Sequence, residues 1–381
     1  MSATDDNAIV IGGGIVGWAT AFALSERGVP ATVIDAAHPE AATLAGAGIV
    51  TLGTSQNLPD AYIELATAAI AFYPRLVSRL ADLDAGETGY ARVGALHVAF
   101  TDHEADGLPA VADRLRSRRA PDALERADIR IISGDEAREL VPPLSPLIPA
   151  AVWYADAARV NGRLMRAALR CAALSAGCRE LIGASRVRRT GNRLTVTMPD
   201  GSERDPDIVV VASGAWTAGL CGAIALPLSL VPQRGQIAHF DLYDASTASW
   251  PSVETESRFY MLTFPGGRVV SGATRELNWG FDPRLTAAGM HEVLTNALRI
   301  APGLANATVA EFRVGLRPFS LDGRPFIGAI PGASNGFICA GHGPSGLTLG
   351  PYSGAVIADV ATGSSPPVDL APYRPDRPAP A

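Results

Sequence analysis

The sequence predicts an α/β chain of two domains: a parallel sheet that the chain leaves and later re-enters, and an antiparallel sheet packed beside it. Three observations carry this. The N-terminus reads strand, turn, helix, strand, with AIVIGGGIVGW at residues 8–18 and TVID at 32–35. A continuous apolar run, DIVVVA at 207–212, has the composition of a strand buried on both faces of a parallel sheet. Between and beyond them, residues 89–100, 228–240, 258–264 and 268–273 alternate in polarity, as half-buried antiparallel strands do.

The first element is the most informative. Gly12, Gly14 and Gly17 give the spacing G-x-G-x-x-G after the apolar run Ala8-Ile9-Val10-Ile11. The first glycine permits the turn, the second lets backbone approach a pyrophosphate, and the third lets helix and strand pack closely. The helix that follows, through residues 19–27, offers its unpaired N–H groups and positive dipole end to that pyrophosphate. A turn, Gly28-Val29-Pro30, leads to a second strand ending in Asp35, whose carboxylate can accept hydrogen bonds from ribose hydroxyls. An adenine dinucleotide is expected here; these residues alone fit NAD as well as FAD.

The length, 381 residues, suits two domains at about 150 residues each. With 48% hydrophobic and 18% charged residues the chain can fill a core, and its net charge of −6 offers no field for nucleic acid. Arg188-Arg189 and the arginines at 116–119 read as solvated faces. All 32 basic residues are arginine, which excludes Schiff-base chemistry on lysine and a P-loop lysine. Cys171, Cys178, Cys221 and Cys339 show no CxxC spacing, so reduced thiols and no metal site are expected. The short acidic start is unlike a signal peptide, and no apolar run reaches the ~18 residues of a membrane helix. A cytoplasmic protein is expected, with monomer and homo-oligomer both open.

Further along, the small residues LAGAGIVTLG at 44–53 place backbone close to a ligand. Residues 59–80 have helical period. Residues 102–140 read as helices and short connections, and the prolines at 142, 143, 146 and 149 as a domain crossing. Residues 160–176 form a helix with Asn161 as N-cap. Strand candidates follow at 178–182, 185–188 and 193–198, and SGAW at 213–216 is another close-approach turn. Residues 286–300 are helical, 313–326 are expected to be a loop, and 336–340 a strand. That strand runs into GHGPSG at 341–346 and a helix over about 347–362, repeating the amide-rich logic of the first motif. The proline-rich tail is expected to lie along the surface or fray.

Together GGGIVG with Asp35, AGAGI, DIVVVASGAW, VPQRGQ (231–236), GLRPFSLDGRPFIG (315–328) and GHGPSGLTLGP (341–351) resemble the D-amino-acid oxidase superfamily. The likeness is to its glycine oxidase, sarcosine oxidase and D-amino-acid dehydrogenase branch. The resemblance implies a discontinuous Rossmann-like FAD-binding domain (residues 1–88, 150–226 and 312–381). It also implies an α+β substrate domain on an antiparallel sheet (89–149 and 227–311). It implies FAD contacts at Gly12, Gly14, Ile15, Val16 and Gly17, and ribose contacts at Asp35 and Ala36. Thr43, Leu44, Ala47, Gly48 and Ile49 would meet the pyrophosphate and flavin edge, Val187 the adenine through its backbone, and Gly214 and Trp216 the same cleft. His342, Gly343, Pro344, Ser345, Gly346, Leu347 and Thr348 would run beside the flavin ring. Covalent branches carry a cysteine after the Arg-Pro of the C-terminal motif; Phe319 and Ser320 stand there, so non-covalent FAD is expected.

The implied activity is oxidation of the C–N bond of a small amino acid or secondary amine, by hydride transfer to flavin N5, with hydrolysis of the imine. Arg317 resembles the carboxylate-binding arginine, whose planar fork gives two charge-assisted bonds. Tyr260 matches a strand tyrosine that supports the same carboxylate. His342 reads better as flavin packing than as a base. Glycine oxidase relatives carry a second arginine where this chain has Pro344, which bears on substrate size. The electron acceptor is O2 or another oxidant, since the lysine that activates oxygen in sarcosine oxidases is absent. Two other readings remain: a flavin monooxygenase, against which GHGPSG stands in place of a Gly-Asp pair, and a non-catalytic subunit, against which Arg317 stands.

Overall fold

A computed structural model describes residues 7–55, 57–118, 128–243 and 246–379; the Arg119 end of the basic cluster lies outside them. The first apolar run forms the strand Ala8–Ile11, and Ile208–Val211 pairs with it in parallel despite its distance in sequence. They lie at the centre of a six-stranded sheet. In spatial order its strands are Phe326–Ala329, Gly336–Ala340, Ile208–Val211, Ala8–Ile11, Thr32–Asp35 and Arg179–Ile182. All its pairings are parallel except the Phe326–Ala329 edge. Side-chain alternation divides it cleanly. Ala8, Val10 and Val210 enter a core with the helices Ile15–Glu26, Asp60–Asp82, Gly162–Ser175 and Gly346–Ala361. Ile9, Ile11, Val209 and Val211 face a second core under a small antiparallel sheet, Arg186–Thr190, Arg193–Thr197 and Glu203–Arg204. Being buried on both faces is what requires the unbroken apolar runs.

The other large sheet has eight strands. Their order is Thr308–Ser320, Leu230–Asp241, Arg268–Gly272, Tyr260–Phe264, Ser252–Thr255, Ala95–Val98, Ala150–Tyr154 and Ile129–Ser133. It is antiparallel as expected, apart from one parallel pair, Ser252–Thr255 with Ala95–Val98. The helix Ala287–Ile300 packs on it, capped by the Thr286 hydroxyl. Asn161 caps Gly162–Ser175 as predicted, accepting from the Arg163 and Leu164 amides.

Several expectations need correction. Residues 313–320 are not loop: they lie in the 13-residue strand Thr308–Ser320, which pairs along Leu230–Asp241. Pro318 argued for a loop, but it stands directly opposite Pro232, a pairing that suits a position where neither residue needs an N–H, on a strand at the sheet edge. The stretch 102–140 contains a strand, Ile129–Ser133, besides its helices. The boundaries at 149/150 and 311/312 cut across this sheet, because Ala150–Tyr154 and Thr308–Ser320 both belong to it. The first helix begins at Ile15, not at 19, because Gly14 is its N-cap.

The tail does not fray over its described length. The Arg377 guanidinium donates to Asp322 (2.7 Å) and to the Pro325 carbonyl (3.0 Å), and lies 3.8 Å over the Phe326 ring. The Tyr373 hydroxyl donates to the Ala61 carbonyl. The tail thereby braces the turn that follows the Arg317 strand.

Candidate active site

A cavity of about 470 Å³ runs between the two large sheets, from Asp35 at one end to Arg317 at the other. Its floor is the glycine turn. Gly12 has φ +110°, and a Cβ there would meet the Ala212 carbonyl oxygen at 2.4 Å, so only glycine fits. A Cβ on Gly17 would meet the Gly12 oxygen at 1.8 Å; this glycine serves helix packing and does not line the cavity. Gly12, Gly14, Ile15 and Val16 do. The Thr43 hydroxyl accepts the Ile15 amide at 3.1 Å, tying the second loop to the helix start.

Asp35 and Ala36 line the cavity. One Asp35 oxygen accepts the Ala37 amide (3.1 Å) and the other accepts from Arg166 (2.9 Å). Arg166 also donates to the Gly13 carbonyl, so it fixes the carboxylate against the turn. The sequence reading did not single it out. It also missed His38, which stacks on Trp216 with ring centres 3.9 Å apart and an interplanar angle of 5°. Trp216 and Gly214 line the cavity, and Phe281 stacks on the outer side of Trp216 at 5.5 Å.

Ala47, Gly48 and Ile49 form one wall; His342, Gly343, Pro344, Gly346 and Leu347 form another. The structure withdraws five of the expected residues from the cavity wall. Besides Gly17, Leu44 offers its carbonyl to Arg163 instead. Val187 is buried in the core beneath the small sheet, and Gly183, Ala184 and Ser185 line the cavity near it. The Ser345 hydroxyl contacts that of Tyr62 at 2.6 Å, and Thr348 donates to the Ile49 carbonyl. These last two hold the C-terminal loop in place rather than lining it.

At the far end Arg317 and Tyr260 meet, as expected. Arg317 rises from the edge strand and donates to the Thr274 carbonyl (3.0 Å) and to Gln233 (3.3 Å). Its guanidinium lies over Gly235, where a Cβ would stand 2.4 Å from both terminal nitrogens. The VPQRGQ motif thus acquires a reason. Gln233 holds the clamp, Gly235 makes room for it, and Arg234 and Gln236 both bind Glu276 (2.5 and 2.6 Å). Fully buried, Arg234 also lies 3.9 Å from the Trp279 ring.

That stitching fixes the segment carrying Arg275, a second arginine in the cavity wall. Arg275 donates to the Arg258 carbonyl (2.8 Å). Among the described residues no carboxylate pairs with Arg275 or Arg317. Burial depresses the pKa of both, and repulsion from Arg317 adds to the effect on Arg275. Burial raises the Tyr260 hydroxyl, against the pull of both arginines. No sequence signal marked Arg275, an ordinary arginine just after a strand.

His342 lines the cavity with Nε2 buried and unpartnered, and burial pushes its pKa down to about 4. A neutral imidazole with so low a pKa is a poor base near neutrality, in keeping with a packing role. The Cys339 thiol, also in the wall, is raised by burial, which disfavours the thiolate needed for covalent attachment.

The residues fit an adenine dinucleotide with a flavin. A turn that side chains would fill lies at one end, and a loop with an orphaned imidazole nitrogen lies beside the clamp. No helix among the described residues is long and apolar enough to cross a membrane.

Comparisons agree with this geometry. The family model described as FAD dependent oxidoreductase, DAO, matches residues 7–360. An uncharacterised oxidoreductase of Bacillus subtilis, YurR, is 39% identical, with 96% of this chain and 98% of the relative covered. The crystal structure of iminodiacetate oxidase from Chelativorans sp. BNC1 is 38% identical with a TM-score of 0.92, covering 97% of this chain and 98% of that one. Glycine oxidase from Geobacillus kaustophilus is 26% identical with a TM-score of 0.89, covering 98% and 99%.

Proposed function

Because the chain belongs to the DAO family of FAD-dependent oxidoreductases, acting on C–N bonds of amino-acid-like substrates, we propose that it oxidises a small secondary amine bearing two carboxylates. The observation that carries this is the pair of guanidiniums in one cavity wall, half-buried Arg317 and the more exposed Arg275, beside Tyr260, with no carboxylate bonded to either among the described residues. Two like charges facing one cavity repel until anions compensate them, so the pair prepares a site for two anionic groups. The similarity to iminodiacetate oxidase points to the same class.

In this reading Arg317 takes one carboxylate in a bidentate pair, steadied by Gln233 and the Thr274 carbonyl. Tyr260 donates to the same group, and Arg275 takes the second carboxylate. Held at both ends, the substrate is left with little rotation, and its C–H bond is directed at the cavity wall formed by 342–347. The chemistry supplied there by non-covalently bound FAD is acceptance of a hydride from the carbon beside nitrogen. His342 stays neutral and shapes the wall. The imine product hydrolyses in water.

The test is an anaerobic screen in which flavin absorbance of the holoenzyme is followed with iminodiacetate, sarcosine, glycine and D-alanine. Iminodiacetate is expected to bleach the flavin fastest. Equal or faster bleaching by the monocarboxylates overturns the dicarboxylate assignment, and no bleaching by any amine overturns the C–N assignment. Oxygen consumption in parallel distinguishes O2 from another acceptor.

A further inference from the structure

We propose that Glu254 and His97 form a proton path from the substrate end of the cavity to a second cavity on the same sheet face, a reading that rests on the amine oxidation proposed above. Strand register places the groups. Tyr260 lies directly opposite Glu254 on the neighbouring strand, and Glu254 lies directly opposite His97 on the next. Residues opposite one another project from the same face, with Cβ atoms about 5 Å apart. Three titratable side chains therefore stand in one row across three strands. The row begins at the cofactor cavity, which Tyr260 lines, and ends at a cavity of about 360 Å³, which His97 lines with His103, Glu104, Asp106, Arg114 and Glu256.

The loop after Ile49 closes over this row. The buried Tyr154 hydroxyl faces both Thr51 and Glu254. Thr54 Oγ1 lies 3.0 Å from His97 Nδ1, and His97 Nε2 lies 3.7 Å from the Glu256 carboxylate. Neither Glu254 nor His97 has a role in the two-arginine clamp. Burial raises Glu254 to about 7, against its contact with Tyr154, so it changes charge near neutrality. Arg317 and Arg275 stand behind Tyr260. His97 is lowered by burial and Arg114, and raised by Glu256 and Glu104, so it passes a proton without retaining it.

The step is a proton transfer only. The substrate binds as an ammonium, but hydride loss requires the neutral amine. An N–H bond breaks and its electron pair stays on nitrogen. Water in the cavity carries that proton to the Glu254 carboxylate, while the Tyr260 hydroxyl keeps its bond to the substrate carboxylate. Glu254 becomes a carboxylic acid, then hands the proton to His97, from which it leaves by the carboxylates of the second cavity.

The experiment mixes holoenzyme with iminodiacetate anaerobically in weakly buffered solution containing a pH indicator, following flavin and indicator together across pH. In the native protein the bleaching rate is expected to rise with pH through about 7, with proton release in step. In Glu254→Gln this limb is expected to move up to the amine's own pKa, with bleaching slowed about 10²-fold near neutrality, the lower range for a lost proton-transfer group. His97→Gln is expected to keep the limb and delay the indicator. Glu254→Asp, retaining a carboxyl, is expected to keep the limb even if Glu254→Gln binds flavin poorly. A native limb and native proton release in Glu254→Gln, or loss of the limb in Glu254→Asp with flavin content intact, overturns the path. Absence of bleaching in the native protein instead overturns the amine-oxidation reading, and the path with it.

Discussion

Gly235→Ala tests the clamp without touching it. The added Cβ would lie 2.4 Å from both terminal nitrogens of Arg317 and 2.5 Å from Cζ. Ordinary contacts begin near ~3.4 Å, so the guanidinium must retreat by about 1 Å, since packed interiors have little slack. That retreat strains its bonds to the Thr274 carbonyl and Gln233. A misplacement of about 1 Å costs on the order of 10²-fold in rate, or about 2.7 kcal/mol at ~1.36 kcal/mol per decade. The backbone at 235 is not in the left-handed region, and alanine in a strand is if anything favoured over glycine by about 0.5–1 kcal/mol. Melting temperature and flavin content should therefore stay at or above native values while kcat/KM for carboxylate substrates falls about 10²-fold. Steady-state kinetics beside a thermal melt measures both. A kcat/KM within twofold of native, with flavin bound, would refute the reasoning that Gly235 is there to seat Arg317.

Arg275→Ala is expected to raise KM for iminodiacetate far more than for glycine, by about 2–5 kcal/mol against a smaller loss; equal losses on both substrates would show that it holds no second carboxylate. Asp35→Asn is expected to weaken FAD binding by about 1.5–3 kcal/mol, the range for a charge-assisted bond, read as the Kd for reconstituting apoprotein. An unchanged Kd would move the ribose contact elsewhere. Arg377→Ala removes one member of a buried ion pair, with side chains 7% and 9% exposed, and is expected to cost about 3–5 kcal/mol. Arg377, Ser320 and the Arg324 amide hold the Asp322 carboxyl well below its usual range, against the opposing effect of burial. Its contribution to stability is full above the ordinary carboxylate range and is lost as pH falls below it. Thermal melts of native and Arg377→Ala protein should therefore converge in acid, and parallel curves down to low pH would contradict this.

Motifs that act through backbone were legible in the sequence, because glycine spacing and apolar runs state their purpose locally. Gly12, Gly14 and Asp35 stand where the spacing placed them, and the helix from Gly346 to Ala361 starts within a residue of its expected position. What failed were properties set by partners distant in the chain. Pro318 read as a loop because nothing local reveals that Pro232 faces it. Ile129–Ser133 read as part of a helical layer because its strand partner, Ala150–Tyr154, lies outside that stretch. Whether the tail lay along the surface or frayed stayed open because the anchor of Arg377, Asp322, lies in a turn that gave no sign of needing one.

Arg275 is the instructive case, because its role follows from what the fold withholds. Arg234, wholly buried, has Glu276, the Arg284 carbonyl and the Trp279 ring. Arg166 has Asp35, and Arg377 has Asp322. The fold thus supplies counter-charges to these three arginines. Among the described residues Arg275 and Arg317 donate to neutral acceptors, while lining one cavity, with Arg317 lowering the basicity of Arg275. Within that pair a single carboxylate leaves one guanidinium uncompensated, whereas two carboxylates on one small amine neutralise both and relieve their repulsion. The distance between the two arginines, more than either alone, sets which amines the site can hold.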